Sequence, residues 1–452
     1  MSGARLRVQG GARLQGSLRV PSDKSIGHRA LMFGALAQGR SEIDAYHGAL
    51  DHEATRQAFM AMGVEVEVQR DLEATRLVVH GQGPHGLRAP LAALDCGNSG
   101  TTMRLLAGLL SAQPFASTLH GDASLSRRPM GRIVKPLRAR GARIEARREA
   151  GSEAWYSPLH IGPLPADMRL RGIEYDMPVA SAQVKSALLL SGLYAEGPTV
   201  LREPMLSRDH TERMLVALGV PLETMASMVA LAPGAVERPW PGVHWRLPAD
   251  PSSAAFALVA ALVCPHSQVD LDEVCTNPTR TGLLQALSLM GAKVQVEARG
   301  QLAGDEPTAC WRAASSPLSA TKLGGELVVR MIDEVPIFCV AAALAHGVTE
   351  LRDAGELRVK ESDRLAVMTT VLRAFGVEVE ELPDGLRIEG PAQLKAAQVQ
   401  SHGDHRIAMS AAVLALCAPG ESIVDDAACI ECDITSGVPK IWCNPVDRVD
   451  YL

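Results

Sequence analysis

Six short apolar helices, each preceded by a cluster of polar and charged residues, recur along this chain at intervals of roughly 75 positions. The helices open at Lys24-Ser25-Ile26-Gly27-His28-Arg29, Asn98-Ser99-Gly100-Thr101, Ser181-Ala182-Gln183-Val184-Lys185, Asp250-Pro251-Ser252-Ser253, Asp333-Glu334-Val335-Pro336 and Asp404-His405-Arg406. The first turn of a helix presents free N–H groups and the positive end of the helix dipole, which attract phosphate and carboxylate. Several such helix starts directed at one point would bind a small polyanion.

A second pattern repeats with nearly the same period. Helical segments that end in Gly and continue into an alternating strand are centred on Gly63, Gly141, Gly219, Gly291 and Gly376, at spacings of 78, 78, 72 and 85 residues. Gly commonly closes a helix because it adopts the left-handed conformation without strain. Single helix-Gly-strand turns occur in any α/β protein, but five at near-equal spacing indicate an internal repeat.

The predicted order of elements in each repeat is strand, apolar helix, strand, helix ending in Gly, and further strands. This alternation is typical of α/β folds with helices packed behind a sheet. A chain of 452 residues is too long for one core, and six repeats divide naturally into two lobes of three. We predict one lobe over 21–245 and a second lobe formed by 1–20 and 246–452. Two linker strands near 20–21 and 245–250 would form a hinge, and a cleft between lobes commonly holds a small-molecule site.

Composition limits the classes of partner. The net charge is −6 despite 45 Lys and Arg, so no global basic field recruits nucleic acid, and an anion site must be a local concentration of cations. The apolar runs are about ten residues long and too short for a membrane span. The N-terminus shows no signal peptide, and the nine cysteines suit reduced thiols in the cytosol. We therefore expect a cytoplasmic protein.

The clusters of the predicted first lobe suit anionic ligands. Lys24 offers a point charge, while Arg29, one turn after Ser25, offers a planar fork for carboxylate or phosphate. Gly100 lets a ligand approach backbone N–H groups closely, although the Gly-Lys-Ser/Thr ending of a Walker loop is absent. We expect one arginine of the pair Arg127-Arg128 to be solvated. Each cluster taken alone also fits an ordinary helix cap or turn.

Four further clusters have the same two interpretations. Ser207-Arg208-Asp209-His210-Thr211-Glu212 has the residue order of a helix N-terminal capping region, and Asp333-Glu334 before Pro336 also fits a cap. Lys360 and Arg364 would lie one turn apart if helical, as on a surface helix. Arg406 at a helix start opposes the helix dipole, which indicates a nearby anion.

These clusters, in this order and spacing, resemble those of the 3-phosphoshikimate 1-carboxyvinyltransferase family, also called 5-enolpyruvylshikimate-3-phosphate synthases, from about Val20 to Asp425. The motifs that carry the resemblance are Asp23-Lys24-Ser25 with Arg29, Gly97-Asn98-Ser99-Gly100-Thr101, Arg128-Pro129, Ser181-Ala182-Gln183, Lys360-Glu361-Ser362-Asp363-Arg364 and Gly403-Asp404-His405-Arg406. The resemblance implies two lobes of three βαβαββ units, with helix N-termini facing the inter-lobe cleft. It also implies transfer of the enolpyruvyl group of phosphoenolpyruvate to shikimate 3-phosphate in chorismate biosynthesis, without a metal or organic cofactor.

The resemblance further implies roles residue by residue. The residues that would contact shikimate 3-phosphate are Ser25, Arg29, Ser181, Ala182, Gln183, Arg208 and Lys360. Those that would contact phosphoenolpyruvate are Gly100, Arg128, Gln183, Arg364 and Arg406. Lys24 would contact both substrates, and Asn98 and Thr101 belong to a matching substrate-binding motif. Asp333 would also contact the substrate, and it would accept the proton of the attacking 5-hydroxyl. Glu361 would protonate the methylene carbon of phosphoenolpyruvate, a role that Lys24 could share.

Four motifs resemble the class II subgroup, whose members often tolerate glyphosate. They are Asp23-Lys24-Ser25, Ser181-Ala182-Gln183-Val184-Lys185, Arg208-Asp209-His210-Thr211-Glu212 and Asn277-Pro278-Thr279-Arg280. One tolerant pattern has Ala where this chain has Gly100, so tolerance is a hypothesis here. The chain departs from the family between Cys432 and Lys440, where a Ser-Phe-Pro-like motif and a phosphate-binding Lys are usual; Lys440 is the candidate substitute.

Two alternative functions are open at this stage. A UDP-N-acetylglucosamine enolpyruvyl transferase would be expected to carry a reactive Cys on a cleft loop and to lack the pattern of Ser181-Ala182-Gln183 with Arg208. A non-catalytic phosphometabolite-binding protein would not need both Asp333 and Glu361. We expect a monomer that acts on small-molecule substrates and binds neither nucleic acid nor membranes.

Overall fold

A strand-helix-strand-helix-strand-strand pattern recurs along the chain, and six four-stranded sheets lie within the described residues. The structure is a computed structural model that describes residues 4–70, 75–148, 154–432 and 449–451. The helices are α1 Lys24–Leu36, α2 Leu50–Ala61, α3 Gly100–Leu110, α4 Gly131–Ala139, α5 Ala182–Gly192, α6 His210–Ala217, α7 Pro251–Val263, α8 Gly282–Leu289, α9 Glu326–Val329, α10 Val335–Ala343, α11 Arg364–Ala374 and α12 His405–Cys417.

The strands are short and evenly distributed along the chain. They are β1 Leu6–Gln9, β2 Gln15–Leu18, β3 Gln38–Asp44, β4 Glu65–Arg70, β5 Thr75–Gln82, β6 Leu94–Asp95, β7 Ser117–His120, β8 Ile144–Arg148, β9 Trp155–Ile161, β10 Ile173–Asp176, β11 Thr199–Arg202, β12 Leu222–Met225, β13 Met228–Leu231, β14 His244–Arg246, β15 Gln268–Cys275, β16 Val294–Leu302, β17 Glu306–Ala314, β18 Lys322–Leu323, β19 Gly347–Leu351, β20 Glu378–Leu382, β21 Gly385–Gly390, β22 Gln398–Gln400, β23 Glu421–Asp425 and β24 Val449–Tyr451.

The chain divides into two compact units with three sheets each. The N unit comprises Lys24–Leu247 and Leu302–Glu306, and the C unit comprises Met1–Asp23, Pro248–Gln301 and Pro307–Leu452. The sheets of the N unit have the orders β14-β3-β5-β4, β6-β7-β9-β8 and β10-β11-β13-β12, and those of the C unit have the orders β2-β15-β17-β16, β18-β19-β21-β20 and β22-β23-β1-β24. In every sheet the first pair is parallel and the second pair is antiparallel. The predicted α/β class is therefore confirmed.

Strands from distant parts of the chain complete three of these sheets. In the N unit, β14 pairs with β3 in the register Trp245↔Ile43. In the C unit, β2 pairs with β15 and β1 pairs with β23, so the N-terminal segment belongs to the same unit as the C-terminal half. The short segment Leu302–Glu306, which the sequence placed with the second lobe, lies in the N unit.

The predicted helix boundaries are confirmed. The five closing glycines all adopt positive φ, between +77° and +106°. The six helices begin at or directly after the predicted clusters: α1 at Lys24, α3 after Ser99, α5 after Ser181, α7 after Asp250, α10 after Glu334 and α12 after Asp404. These helices begin where the sequence changes from polar residues to an Ala/Leu-rich run, because the apolar run supplies the core.

Small residues allow these helices to pack closely within each unit. In the C unit, α7, α10 and α12 are buried along nearly their whole length and pack against one another. In the N unit, a Cβ added to Gly108 of α3 would lie 2.2 Å from the Ala187 carbonyl oxygen of α5, so the two backbones touch. A search of the described residues finds no helix with the length and apolar character that a membrane span requires.

Candidate active site

Three cations surround the side chain of Asp333 in the C unit. Lys360 Nζ lies 3.5 Å from Oδ1, Arg364 NH1 lies 3.3 Å from Oδ1, and Arg406 NH2 lies 4.0 Å from Oδ2. Arg406 also donates to the Asp333 carbonyl oxygen at 3.0 Å. The structure therefore brings together four residues predicted from separate motifs, and the anion expected near Arg406 is Asp333 of the protein itself.

Glu361 shares a guanidinium with Asp333. Arg364 NH2 lies 2.6 Å from Glu361 Oε2, while Nε lies 2.8 Å from Asp404 Oδ2. Arg364 and Asp404 are fully buried. Burial alone would lower the pKa of Arg364, but the three carboxylates raise it; burial opposes ionisation of Asp404, and Arg364 nevertheless holds its pKa below the usual value. We call Asp333, Lys360, Glu361, Arg364 and Arg406 the C half-site.

The prediction that Lys360 and Arg364 lie one turn apart on a helix is wrong. Lys360 follows a short 3₁₀ helix, Gly355–Val359, and α11 begins only at Arg364. The side chain of Asp363 caps α11 by accepting from the Ala366 N–H. Lys360 and Glu361 therefore lie on the loop that precedes the helix.

The start of α3 supplies a set of small and polar groups in the N unit. Ser99 caps the helix by accepting from the Thr102 N–H at 3.1 Å. Asn98 accepts a hydrogen bond from buried Arg128 and donates to Asp122 at 2.7 Å. Asn98 thus orients the guanidinium of Arg128, while Arg127 is exposed, as expected for one member of that pair.

Gln183 joins the starts of α3 and α5. Its amide nitrogen donates to Thr101 Oγ1 at 3.0 Å, and its oxygen accepts from Arg104 NH1 at 2.8 Å. Ser181 caps α5 by accepting from the Val184 N–H, which places Ala182 as the first helical residue. Arg104 is not among the residues predicted from the sequence, although it follows the motif Gly97-Asn98-Ser99-Gly100-Thr101 by three residues.

The start of α1 holds two predicted cations in different environments. Lys24 Nζ lies 3.1 Å from Asp51 Oδ2 and remains partly exposed. Arg29 is buried, and its three nitrogens donate to Thr211 Oγ1, the Ser25 carbonyl and Ser186 Oγ, at 2.6–2.8 Å. Arg29 therefore links α1 to both α5 and α6.

Arg208, which is half-buried, directly follows Ser207, whose carbonyl oxygen accepts a hydrogen bond from a buried ion triad. Lys185 Nζ lies 2.6 Å from Glu203 Oε1 and 2.7 Å from Glu212 Oε1, and it donates to the Ser207 carbonyl at 3.4 Å. Burial would lower the pKa of Lys185, but the two carboxylates raise it; burial raises the pKa of Glu212. The cluster does lie at the N-terminus of α6, which begins at His210, and the side chain of Glu212 in its first turn is paired with Lys185.

A chain of buried hydroxyls links the starts of α1 and α3. His28 Nδ1 lies 2.7 Å from Thr55 Oγ1, which lies 2.7 Å from Thr102 Oγ1, and Thr102 donates to Ser99 Oγ at 2.8 Å. Burial lowers the pKa of His28 well below the usual value, and it also lowers the pKa of neighbouring His52. The imidazole of His28 is therefore neutral at pH 7.

In each unit, then, the starts of three helices meet and carry the predicted residues. We call Lys24, Ser25, Arg29, Arg208 and the groups at the starts of α3 and α5 the N half-site; its members at those starts are Asn98, Gly100, Thr101, Arg128, Ser181, Ala182 and Gln183. Two groups of side chains in the described parts of the chain have metal-ligand spacing, Glu65-Glu67-His80 and Asp209-His210-Glu306, and neither belongs to a half-site. His210 Nδ1 lies 2.6 Å from Glu306 Oε1, so this pair is hydrogen-bonded.

The sequence profile described as EPSP synthase (3-phosphoshikimate 1-carboxyvinyltransferase) matches residues 8–441. The chain belongs to this family. A 3-phosphoshikimate 1-carboxyvinyltransferase of Desulforudis audaxviator is 47% identical over 426 residues, which cover 94% of this chain and 96% of the relative. The protein of that name from Geobacter sp. (strain M21) is 49% identical over 423 residues, which cover 94% and 95%.

Solved structures agree with this assignment. The structure of EPSP synthase from Acinetobacter baumannii has a TM-score of 0.85 and 40% identity, and the match covers 99% of this chain and 100% of that chain. An enolpyruvyl transferase from Streptomyces tendae, at 17% identity and a TM-score of 0.74, shares the fold. The matched EPSP synthase range includes both half-sites. It also includes Lys440, which lies outside the described residues.

Proposed function

We propose that this EPSP synthase family member transfers the enolpyruvyl group of phosphoenolpyruvate to the 5-hydroxyl of shikimate 3-phosphate and releases phosphate. The observation that carries the proposal is that Asp333 and Glu361 rest on one buried guanidinium, Arg364, beside two more cations, Lys360 and Arg406. Two carboxylates poised for proton transfer within a cluster of cations suit a reaction between two anionic substrates.

The N half-site provides the groups for anion binding. Shikimate 3-phosphate would contact Lys24, Ser25, Arg29, Ser181, Ala182, Gln183 and Arg208 of the N half-site. It would also contact Lys360 of the C half-site. Phosphoenolpyruvate would contact Gly100, Arg128, Gln183, Arg364, Arg406 and Lys24. Backbone N–H groups of the first helical turn and fork-shaped guanidinium groups both match phosphate and carboxylate oxygens. Asn98 and Thr101 would act by holding Arg128 and Gln183 in place.

The proton transfers follow from competition for cations. In the structure, Lys360, Arg364 and Arg406 neutralise Asp333, and Arg364 also neutralises Glu361. Substrate phosphate and carboxylate groups would draw these cations away. Asp333 then accepts the proton of the 5-hydroxyl. Glu361, which takes up a proton from solvent once Arg364 is drawn away, gives that proton to the methylene carbon, a role that Lys24 can share. The C–O bond to the substrate forms as the methylene is protonated. The tetrahedral intermediate then returns a proton of the new methyl group to Glu361 as its C–O bond to phosphate breaks, which restores the double bond and releases phosphate.

We also infer that the lobes predicted over 21–245 and over 1–20 with 246–452 contribute residues to this one reaction. The protein would be a cytoplasmic monomer without a nucleic-acid or membrane partner. The net charge of −6 supports the absence of a nucleic-acid partner. The seven cysteines whose side chains the structure describes are free thiols, which suits a reducing compartment.

Phosphate release in the presence of both substrates tests the proposal. Wild-type protein should release phosphate only when shikimate 3-phosphate and phosphoenolpyruvate are both present. The variants Asp333→Asn and Glu361→Gln should each lower kcat by about 10²- to 10⁴-fold, the usual contribution of a general acid or base. Calorimetric titration of shikimate 3-phosphate, followed by phosphoenolpyruvate or glyphosate, should still show binding to both variants.

Two results would contradict the assignment. Wild-type turnover by both variants would show that the proton-transfer roles are misassigned. Phosphate release with UDP-N-acetylglucosamine in place of shikimate 3-phosphate would establish the alternative transferase, and binding of both substrates without turnover would establish a non-catalytic protein.

A further inference from the structure

A buried cluster of three carboxylates surrounds one guanidinium in the C unit. Arg280 NH1 donates to Asp23 Oδ2 at 2.8 Å, and NH2 lies 3.2 Å from Asp250 Oδ1. NH2 also donates to Ser252 Oγ at 2.8 Å, and the Ser252 hydroxyl donates in turn to Glu334. All five residues are more than nine-tenths buried, so water does not screen these charges.

The sequence positions of the carboxylates relate this cluster to the reaction. Asp23 directly precedes Lys24, and Glu334 directly follows Asp333. The chain leaves the C unit after Asp23 and re-enters it at Pro248. The backbone N–H of Asp23 donates to the Pro248 carbonyl at 2.8 Å, so the two crossing strands are also joined to each other.

We propose that Arg280 is a positioning residue for the enolpyruvyl transfer, which fixes the main chain that carries Lys24 and Asp333. This inference rests on the function proposed above. Arg280 acts on these residues through Asp23 on one side and through the Ser252–Glu334 hydrogen bond on the other.

The motif Asn277-Pro278-Thr279-Arg280 explains how Arg280 itself is held. Residues Pro278–Arg280 form a 3₁₀ helix, and the Asn277 side chain accepts hydrogen bonds from the Thr279 N–H at 2.9 Å and from the Thr279 hydroxyl at 2.7 Å. The motif therefore builds a rigid platform for one guanidinium. This gives a physical role to a segment that the substrate contacts leave unassigned.

The shape of arginine matters here. Arg280 reaches Asp23 with one nitrogen and both Asp250 and Ser252 with another, so the planar guanidinium spreads over two atoms the contacts that an ammonium would have to make from one. Burial would lower the pKa of Arg280, but the surrounding carboxylates raise it, so the cation persists. Without the fork, buried carboxylates repel one another and their backbone shifts; a displacement of about 1 Å at a reacting group can cost roughly 10²-fold in rate.

Steady-state phosphate release by folded Arg280→Lys and Ser252→Ala variants tests the inference. Both should lower kcat, by about 30-fold and about tenfold respectively, while KM for each substrate stays within about threefold, because the substrate contacts are intact. The matched control is Ser267→Ala. Ser267 has the same 3% exposure as Ser252, and its hydroxyl accepts from the Leu14 N–H, away from the carboxylates. This control should keep wild-type kcat.

The possible outcomes separate the two proposals. Wild-type kcat in folded Arg280→Lys and Ser252→Ala would overturn the positioning role, and so would a loss of kcat of equal size in Ser267→Ala. If Arg280→Lys does not fold, the comparison of Ser252→Ala with Ser267→Ala decides. A wild-type protein that releases no phosphate would overturn the proposed function itself, and the positioning role with it.

Discussion

The guanidinium of Arg364 lies 2.6 Å from the carboxylate of Glu361. The same buried group also pairs with Asp404 at 2.8 Å, so it links the start of α11 to the cap of α12. Arg364 therefore has a structural role in addition to its proposed contact with phosphoenolpyruvate.

Replacement of Arg364 by Met should destabilise the protein by about 3–5 kcal/mol, because removal of one partner leaves buried Asp404 without its counter-charge. Urea unfolding at pH 7 measures this loss. The control is Arg352→Met, which breaks an exposed pair with Glu350 and should cost less than about 1 kcal/mol. Equal losses in the two variants would contradict the buried role of Arg364.

Replacement of Lys185, which removes its ammonium group, should cost more stability at pH 7 than at pH 5. In Lys185→Met, buried Glu203 and Glu212 lose their shared cation and take up protons more readily than in the unfolded chain. A folded state that binds more protons loses stability as pH rises. We expect this variant to lose about 3–5 kcal/mol at pH 7 and less at pH 5, as measured by urea unfolding.

Arg213→Met is the control for Lys185→Met. Arg213 forms a partly exposed pair with Asp209 on α6, so its loss should cost less than about 1 kcal/mol at either pH. A Lys185→Met variant with the same loss at pH 5 and pH 7 would show that Glu203 and Glu212 do not take up protons.

Buried histidines should make the wild type less stable in mild acid. Because burial lowers the pKa of His28 and His52, the unfolded chain binds protons below about pH 6.5 that the folded protein does not. The free energy of unfolding should therefore fall as pH decreases from 6.5, by up to about 1.4 kcal/mol per pH unit for each histidine.

The variant His28→Asn isolates one of these two histidines. Between pH 5 and pH 6.5, the buried histidines should contribute about half as much to the slope of its free energy of unfolding against pH as they do in the wild type. This expectation holds whatever the absolute stability of the variant. The control His160→Asn removes an exposed imidazole and should keep the wild-type slope. An unchanged slope in His28→Asn would mean that His28 titrates alike in the folded and unfolded states.

Replacement of Gly100 by Ala should act through Arg104. An added Cβ would lie 2.5 Å from Arg104 NH1, so the guanidinium that donates to Gln183 has to move. The moved atoms are the end of a flexible side chain, so stability should change by less than about 1 kcal/mol. Loss of a hydrogen bond from a charged group should raise KM for phosphoenolpyruvate by about tenfold.

A double-mutant cycle with Arg104→Lys tests this route. The effect of Gly100→Ala should be smaller in the Arg104→Lys background, because the clashing atoms are absent. Additive effects would show that the methyl group acts on the ligand directly.

The glyphosate inhibition constant of the wild type, measured in the same assay, tests the tolerance hypothesis; a value near that of sensitive enzymes would refute it.

The sequence predicted local features well and the partners of charged groups poorly. Helix starts and the closing glycines depend on caps and on backbone conformations that a few adjacent residues set, and they were confirmed. The error at Lys360 and the unforeseen pairing of Glu212 have one cause. Their partners, Asp333 and Lys185, are 27 residues distant in each case, so no local pattern could reveal them.

By itself, the sequence determined the α/β class, the repeat, the positions of the helix starts and, through its motifs, the family resemblance. These features follow from polar-to-apolar changes and from residue types along the chain. Only the tertiary structure decided that three cations surround Asp333, that Gln183 lies between Thr101 and Arg104, and that the N-terminal segment completes sheets with the C-terminal half. Such contacts join residues far apart in sequence, and their partners are selected by packing and burial, which a linear pattern does not contain.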